Sequence, residues 1–279
     1  MQNLFALFSF EFFQNAFLAA FMASITCGII GTYIVSRRIV FISGGITHAY
    51  FGGIGMGYYF GFNPIAGAIA FGILSALGIE LFTKKADLRE DSAIAMLWSL
   101  GMALGIIFIF LTPGYAPNLM SYLFGNILTV SKSDLLFLLF LSVFVIGFFL
   151  IFYRMIIFVS FDEEFALTNN APVRLFNALL ISLVALTIVL NIRVVGIILV
   201  MSLLTIPQAI ANLFTKRFDR MMFYSIAFAF LGSVTGLAFS YFYDIPSGAA
   251  IIFTLVVLYG IIKIAFLIFG KANVGTAKR

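Results

Sequence analysis

The chain has 279 residues, of which 63% are hydrophobic and only 10% charged, and its formal net charge is +5. Soluble domains are about half apolar and about a quarter charged, so this composition excludes an ordinary soluble protein. The positive charge does not indicate nucleic-acid binding, because the basic residues form short clusters between apolar runs, as membrane topology requires.

Successive apolar segments predict an all-α protein, a polytopic membrane helical bundle with about nine segments (eight or nine). A bilayer core needs about 20 apolar residues per helix. Pro64 and Pro246 suit helix starts, Asp91–Ser92 and Ser131–Lys132–Ser133 suit helix caps, and Asn191–Ile192–Arg193 separates two segments. Residues 1–279 are therefore expected to form a single transmembrane domain. The predicted segments are 12–35, 39–61, 64–82, 92–112, 133–158, 173–190, 194–213, 219–243 and 246–269.

The distribution of Lys and Arg predicts an N-terminus outside and a C-terminus inside, because cytoplasmic loops are enriched in these residues. If the loop after the first span is cytoplasmic, nearly all basic residues fall on the inner face, and only Lys132 and Arg193 lie in outer loops. Two connections are long. The outer one, about 113–131, is apolar enough to dip into the membrane, and the inner one, about 159–172, is polar and acidic.

The second segment contains the glycine-rich stretch "SGGITHAYFGGIGMG", residues 43–57. On a helix, residues four apart share a face, so Gly45, Ala49, Gly53 and Gly57 form one ridge of small side chains. Such ridges let helix backbones approach closely in membranes. The pattern predicts a central helix that packs tightly against its neighbours.

His48, the only histidine in the chain, lies within this stretch. At about 1.5 Å per residue it is placed roughly 14 Å into the span, near the middle of the bilayer. An ionisable group there is costly unless it faces a cavity or a partner. Two interpretations remain open: a contact with a translocated metal ion, or a purely structural histidine bonded to a neighbouring helix.

Motifs for other classes of activity are absent from the sequence. It contains no GxxxxGK[ST] loop, no HExxH and no Ser/His/Asp arrangement, so we expect neither ATP hydrolysis by this chain nor an enzyme. A self-contained ion channel or secondary transporter is an alternative. Its signature would be paired charges at mid-membrane or inverted repeats with broken helices. An integral-membrane enzyme is a third possibility, and a lone histidine argues against it.

Six stretches in a fixed order resemble the permease family of ABC importers for zinc, manganese and chelated iron. Together they cover most of the chain. They are "RRIVFISGGITHA" (37–49), "EDSAIAMLWSLGMALG" (90–105), "SYLFGNILTVSKSDL" (121–135), "FVSFDEEFA" (158–166), "VVGIILVMSLLTIPQAIA" (194–211) and "YFYDIPSGAAI" (241–251).

The resemblance implies a multi-pass permease in the cytoplasmic (inner) membrane. Two copies would pair with two cytoplasmic ATP-binding subunits, and an extracytoplasmic metal-binding protein would deliver the ion. The chain itself would bind no cofactor, because ATP belongs to the partner subunit and the divalent metal ion is the transported cargo. The resemblance also implies that the inner connection, about 159–172, is a cytoplasmic coupling segment, whose alternative interpretation is a solvated charged loop. Its residues are Asp162, Glu163, Glu164, Phe165 and Ala166.

The resemblance extends to His48, which matches the histidine of the family's "SHA" motif, written "THA" here. Family members usually carry an aspartate four residues earlier, and this chain has Gly44 at that position. An Asp/His metal site therefore does not carry over. Asn126 and Gln208, which follows Pro207 where the family has a small residue, are candidates to supply an oxygen ligand instead.

Overall fold

The computed structural model describes residues 9–85, 89–113, 125–161, 166, 168 and 172–274. These residues form helices, one short 3-10 turn at Ile127–Thr129, and the connections between them. In chain order the helices are α1 (Glu11–Ser36), α2 (Val40–Phe60), α3 (Pro64–Lys85), α4 (Glu90–Leu111), α5 (Lys132–Phe161), α6 (Val173–Val195), α7 (Ile197–Leu203), α8 (Ile206–Phe214), α9 (Phe218–Tyr243) and α10 (Ser247–Val274).

The predicted all-α membrane bundle is confirmed. Within the described ranges, eight segments are long and apolar enough to span a bilayer, with α7 and α8 together forming one of them. The ninth long helix, α2, is not among these eight segments. It is rich in glycine and carries the histidine, and most of its residues are buried.

The predicted boundary at Asn191–Ile192–Arg193 is wrong. Helix α6 continues through these residues to Val195, and the chain turns at Gly196, whose φ of 85° favours glycine. The charge on Arg193 suggested a loop, but Arg193 lies in the last turn of a helix, where cations are favourable. A second interruption follows Leu203, so two short helices occupy this span.

The two predicted N-caps have different outcomes. Asp91–Ser92 do not cap α4, because the helix begins at Glu90 and its N-cap is Arg89, which makes no side-chain cap hydrogen bond. At α5, Ser131 caps the helix as predicted: its hydroxyl accepts from the Asp134 amide at 3.2 Å, and the Asp134 carboxylate accepts from the Ser131 amide at 3.2 Å. This reciprocal pair is a capping box.

The chain divides into two compact units. The first comprises Met1–Val35, Phe124–Ser142 and Val194–Arg279, and the second comprises Ser36–Leu123 and Val143–Arg193. The long helices α5 and α6 therefore each contribute to both units. The candidate site around His48 belongs to the second unit.

In the first unit, small residues bring helices together. A Cβ added at Gly232 would lie 2.2 Å from Leu255, and one added at Gly236 would lie 2.4 Å from the Ile251 Cα. Helices α9 and α10 thus pack closely where Gly232 and Gly236 of α9 face α10. At one end of this unit, Lys132 forms an exposed ion pair with Glu11 at 2.6 Å.

In the second unit, α2 packs against both α3 and α4. A Cβ at Gly53 would lie 2.2 Å from the Gly67 carbonyl oxygen, and one at Gly57 would lie 2.5 Å from the Pro64 Cα. Since backbone atoms cannot move away as a flexible side chain can, the α2–α3 contact requires glycine at these positions. This backbone-to-backbone packing fixes the register of α2 against α3, and therefore the position of His48 along that helix pair.

Candidate functional site

His48 is the ninth residue of α2, and its imidazole is half-buried. The Nδ1 atom lies 2.8 Å from the carbonyl oxygen of Gly44, one helical turn earlier, and 3.3 Å from the Thr47 hydroxyl. Because a carbonyl oxygen only accepts hydrogen bonds, Nδ1 carries the proton in the neutral ring. The Nε2 lone pair is then available, and among the described residues Nε2 has no hydrogen-bond partner.

This arrangement has the chemistry of a metal-binding histidine. Imidazoles that bind metals almost always donate their other N–H to a carboxylate, a backbone carbonyl or water, and that bond fixes the tautomer and the ring orientation. Here the Gly44 carbonyl serves that purpose. Gly44 therefore contacts His48 through its backbone carbonyl, at the position where the resemblance implies an aspartate side chain.

The indole of Trp98 stacks on His48, with ring centroids 3.8 Å apart and an interplanar angle of 22°. Trp98 is 38% exposed and lies on α4. The stack fixes the plane of the imidazole, while the hydrogen bond to Gly44 decides which edge of the ring faces the backbone. The two contacts together restrict both rotations of the histidine side chain.

Close packing of α2 against α4 makes the stack possible. A Cβ at Gly101 would lie 2.5 Å from the Ala49 Cα, and one at Gly105 would lie 2.6 Å from the Phe51 carbonyl oxygen. Trp98 precedes Gly101 by three residues and therefore lies on the same face of α4. The near contact of Gly101 with Ala49 brings Trp98 against the residue before Ala49, which is His48.

The predicted small-residue ridge of α2 meets both neighbouring helices. A Cβ at Gly45 would lie 3.0 Å from Ile94 of α4, and Ala49 touches Gly101 of the same helix. Further along, Gly53 and Gly57 contact α3, as described above. The first half of the ridge thus packs against α4, and the second half packs against α3.

Asn126, a predicted oxygen ligand, is the exposed N-cap of the 3-10 turn in the first unit. Its side-chain oxygen accepts a hydrogen bond from the Leu128 amide at 3.0 Å. The local backbone therefore already uses this oxygen. The described geometry of Asn126 is that of a turn residue.

Gln208, the other predicted oxygen ligand, is fully buried in the first unit. Its amide nitrogen donates to the carbonyls of Cys27, at 2.9 Å, and Leu203, at 3.1 Å. Its carbonyl oxygen has no partner among the described residues. A Cβ at Gly31 would lie within 2.2 Å of the amide nitrogen, so the glycine makes room for this side chain. Gln208, which lies in α8, thus connects α1 to α7 by hydrogen bonds. The role of its oxygen as a metal ligand remains a prediction.

Four residues of the predicted coupling segment, Asp162, Glu163, Glu164 and Phe165, lie outside the described residues. Ala166 is described and buried. At the start of the segment, the Val159 carbonyl accepts a hydrogen bond from the guanidinium of Arg37. Arg37 precedes α2, so this bond connects the helix that carries His48 to the chain leading into the acidic residues.

Among the described residues, no group of three or more His, Cys, Asp and Glu side chains is arranged to hold a metal ion. In that part of the chain, His48 can supply one nitrogen ligand and does not belong to a cluster of metal-binding side chains.

Sequence reasoning missed Trp98. The signal was available, because Trp98 is the only tryptophan of the chain and shares a helix face with Gly101. Placing the row of Gly101 and Gly105 against the ridge of α2 would have suggested the contact.

Comparisons with known proteins agree with this architecture. Residues 9–266 match the ABC 3 transport family. An uncharacterized membrane protein of Synechocystis sp. is 42% identical over 257 residues, covering 92% of this chain and 91% of the relative. The manganese transport system membrane protein MntC of Halalkalibacterium halodurans is 34% identical over 255 residues, covering 91% and 87% of the two chains.

A solved structure is similar over nearly the same length. It is described as PsaBC from Streptococcus pneumoniae in complex with Fab, and the matching chain is 31% identical with a TM-score of 0.82, covering 92% of each chain. The family match runs through α2 and α4. This chain is therefore a member of the ABC 3 transport family.

Proposed function

We propose that this chain is the membrane-spanning permease subunit of an ATP-driven importer for a divalent transition metal ion: zinc, manganese or iron. The observation that carries the proposal is the family match over residues 9–266, together with relatives that are named manganese transport system membrane proteins. The chain covers most of the length of those relatives.

Within this permease, His48 is the residue that contacts the ion. Three observations support this role: its position in the middle of α2, its Nδ1–H bond to Gly44, and its unpartnered Nε2 among the described residues. Transition metals bind neutral imidazole through such a nitrogen. With glycine at position 44 the contact lacks a neighbouring carboxylate, so it is weaker than an Asp/His pair and favours rapid release.

The partners follow from the same proposal. Two copies of the chain form the pathway in the cytoplasmic membrane, with the N-terminus outside and the C-terminus inside. A separate extracytoplasmic protein delivers the ion, and two cytoplasmic ATPase subunits drive the change between outward and inward openings. The acidic segment around Glu163 and Glu164 docks on the ATPase, and the Arg37 bond to Val159 connects this segment to α2.

Reconstitution tests the proposed function. The permease, its ATPase and its metal-binding protein are placed in lipid vesicles, and ATP turnover and metal uptake are measured together. We expect turnover to rise when the binding protein carries metal and uptake to require ATP. Identical turnover with and without the loaded binding protein would contradict the proposal, as would uptake driven by an ion gradient without nucleotide.

Charge reversal tests the coupling segment. We expect the double substitution Glu163→Lys, Glu164→Lys to lower ATP-dependent metal uptake about tenfold or more, because like charges across a docking surface cost several kcal/mol. The measurement is uptake in vesicles, with co-purification of the ATPase as a second readout. Asp91→Lys is the matched control, since Asp91 is an exposed acidic residue outside the segment. Normal uptake in the double variant would mean that the segment is a solvated loop and does not dock on the ATPase.

A further inference from the structure

The imidazole of His48 has one face covered by aromatic surface. Trp98 and His48, the only tryptophan and the only histidine of the chain, stack with centroids 3.8 Å apart. Favourable pairs of aromatic rings contribute about 0.5–1.5 kcal/mol beyond the burial of area. A contribution of that size favours the stacked orientation of the histidine side chain over orientations that lose the indole face.

The stack and the backbone bond restrict different motions. A half-turn of the imidazole about its Cβ–Cγ bond would return the ring to the same plane and keep the stack, but it would lose the 2.8 Å bond from Nδ1 to the Gly44 carbonyl. Swinging the side chain about its Cα–Cβ bond would lose the stack. Only one placement of Nε2 satisfies both contacts.

We propose that Trp98 is the positioning residue for His48: its indole holds the imidazole so that Nε2 is presented to the passing metal ion as a single neutral nitrogen ligand. This inference rests on the proposed function and goes beyond it, because it assigns the orientation of the ligand to a residue on another helix. A nitrogen ligand favours later transition metals over harder ions that prefer oxygen. Loss of the stack lets the ring sample other orientations and lowers the fraction of chains ready to bind.

The fluorescence of Trp98 gives a direct test, because the full chain contains no other tryptophan. The purified full chain in lipid vesicles is titrated with Co²⁺, a paramagnetic quencher, and Zn²⁺ is added as a non-quenching competitor. We expect saturable quenching by Co²⁺ that Zn²⁺ reverses. In His48→Gln the quenching should no longer saturate. Equal saturable quenching in both proteins, or none in the unsubstituted chain, would overturn the proposal.

Uptake by the reconstituted assembly provides the second test. We expect Trp98→Leu to raise the KM for metal about three- to tenfold, which corresponds to the loss of one aromatic stack, with the maximal rate nearly unchanged. Trp98→Phe keeps an aromatic face and should recover most of the affinity. Phe110→Leu is the matched control, because Phe110 is an aromatic residue of the same helix that is 88% exposed.

These outcomes separate a failure of this inference from a failure of the proposed function. If the unsubstituted assembly takes up metal but Trp98→Leu has an unchanged KM, the positioning role is wrong and the importer remains. Equal impairment of Trp98→Phe and Trp98→Leu would also overturn the positioning role, because it would indicate a need for indole bulk in packing. Absence of ATP-dependent uptake in the unsubstituted assembly would contradict the proposed function itself.

Discussion

His48→Ala should lower ATP-dependent metal uptake about tenfold or more while the permease still assembles with its ATPase. Substitution of the hydrogen-bonded partners of metal ligands changes metal affinity or activity about 10- to 100-fold, and His48 is proposed as the ligand itself. The side chain is half-buried and stacks on Trp98, while α2 packs on its neighbours through its glycines, so truncation of His48 should leave the helix contacts of α2 intact.

The measurement compares metal uptake in vesicles with the amount of ATPase that co-purifies with the variant. Phe110→Ala, which truncates an exposed side chain of α4, is the control for a general effect of substitution within this unit. Unchanged uptake in His48→Ala would return this histidine to a structural role. Loss of assembly together with uptake would mean that the residue is needed for packing.

Gly101→Ala should destabilise the second unit by about 1–3 kcal/mol, which is the usual cost of overpacking a tight contact. The new Cβ would lie 2.5 Å from the Ala49 Cα, so α2 and α4 would have to move apart. Because the same contact places Trp98 on His48, we also expect weaker metal uptake. Thermal unfolding in detergent and uptake in vesicles measure the two effects.

Gly147→Ala is the matched control for this substitution. Gly147 also lies within a long helix, but no atom of the described residues is within 4 Å of a Cβ added there. Alanine is a better helix former than glycine, so this variant should be as stable as the original chain or slightly more stable. Equal loss of stability in the two variants would contradict the account of α2 packing.

Much of the fold could be predicted from the sequence, because apolar length and helix punctuation are local signals. The predicted start of the third segment at Pro64 is confirmed, and so is the cap at Ser131. The break near residue 196 was placed too early, because the charge of Arg193 resembled a loop signal. The actual cause is the positive φ of Gly196, and a glycine in an apolar run does not reveal its backbone angle.

The site was only partly predictable for a related reason. His48 is conspicuous as a lone ionisable residue in an apolar segment. Its contacts depend on how α2 and α4 align, and that register is decided by glycine contacts between residues about fifty positions apart. The oxygen of Asn126 accepts a hydrogen bond from the Leu128 amide in the 3-10 turn, a contact that the side-chain type alone does not reveal. Its role as an oxygen ligand stays a prediction, because an amide oxygen has a second lone pair.

The central claim is that position 48 faces an ion pathway whose opening depends on nucleotide. Cys27 is the only cysteine and is buried, so Cys27→Ser gives a background for a single new cysteine. His48→Cys in this background, once its Cys27→Ser parent has been shown to transport metal, is treated with a membrane-impermeant maleimide applied to each side of the reconstituted assembly. We predict labelling whose sidedness changes when ATP is added. Labelling only by a lipid-soluble maleimide, at the same rate with and without ATP, would contradict the claim.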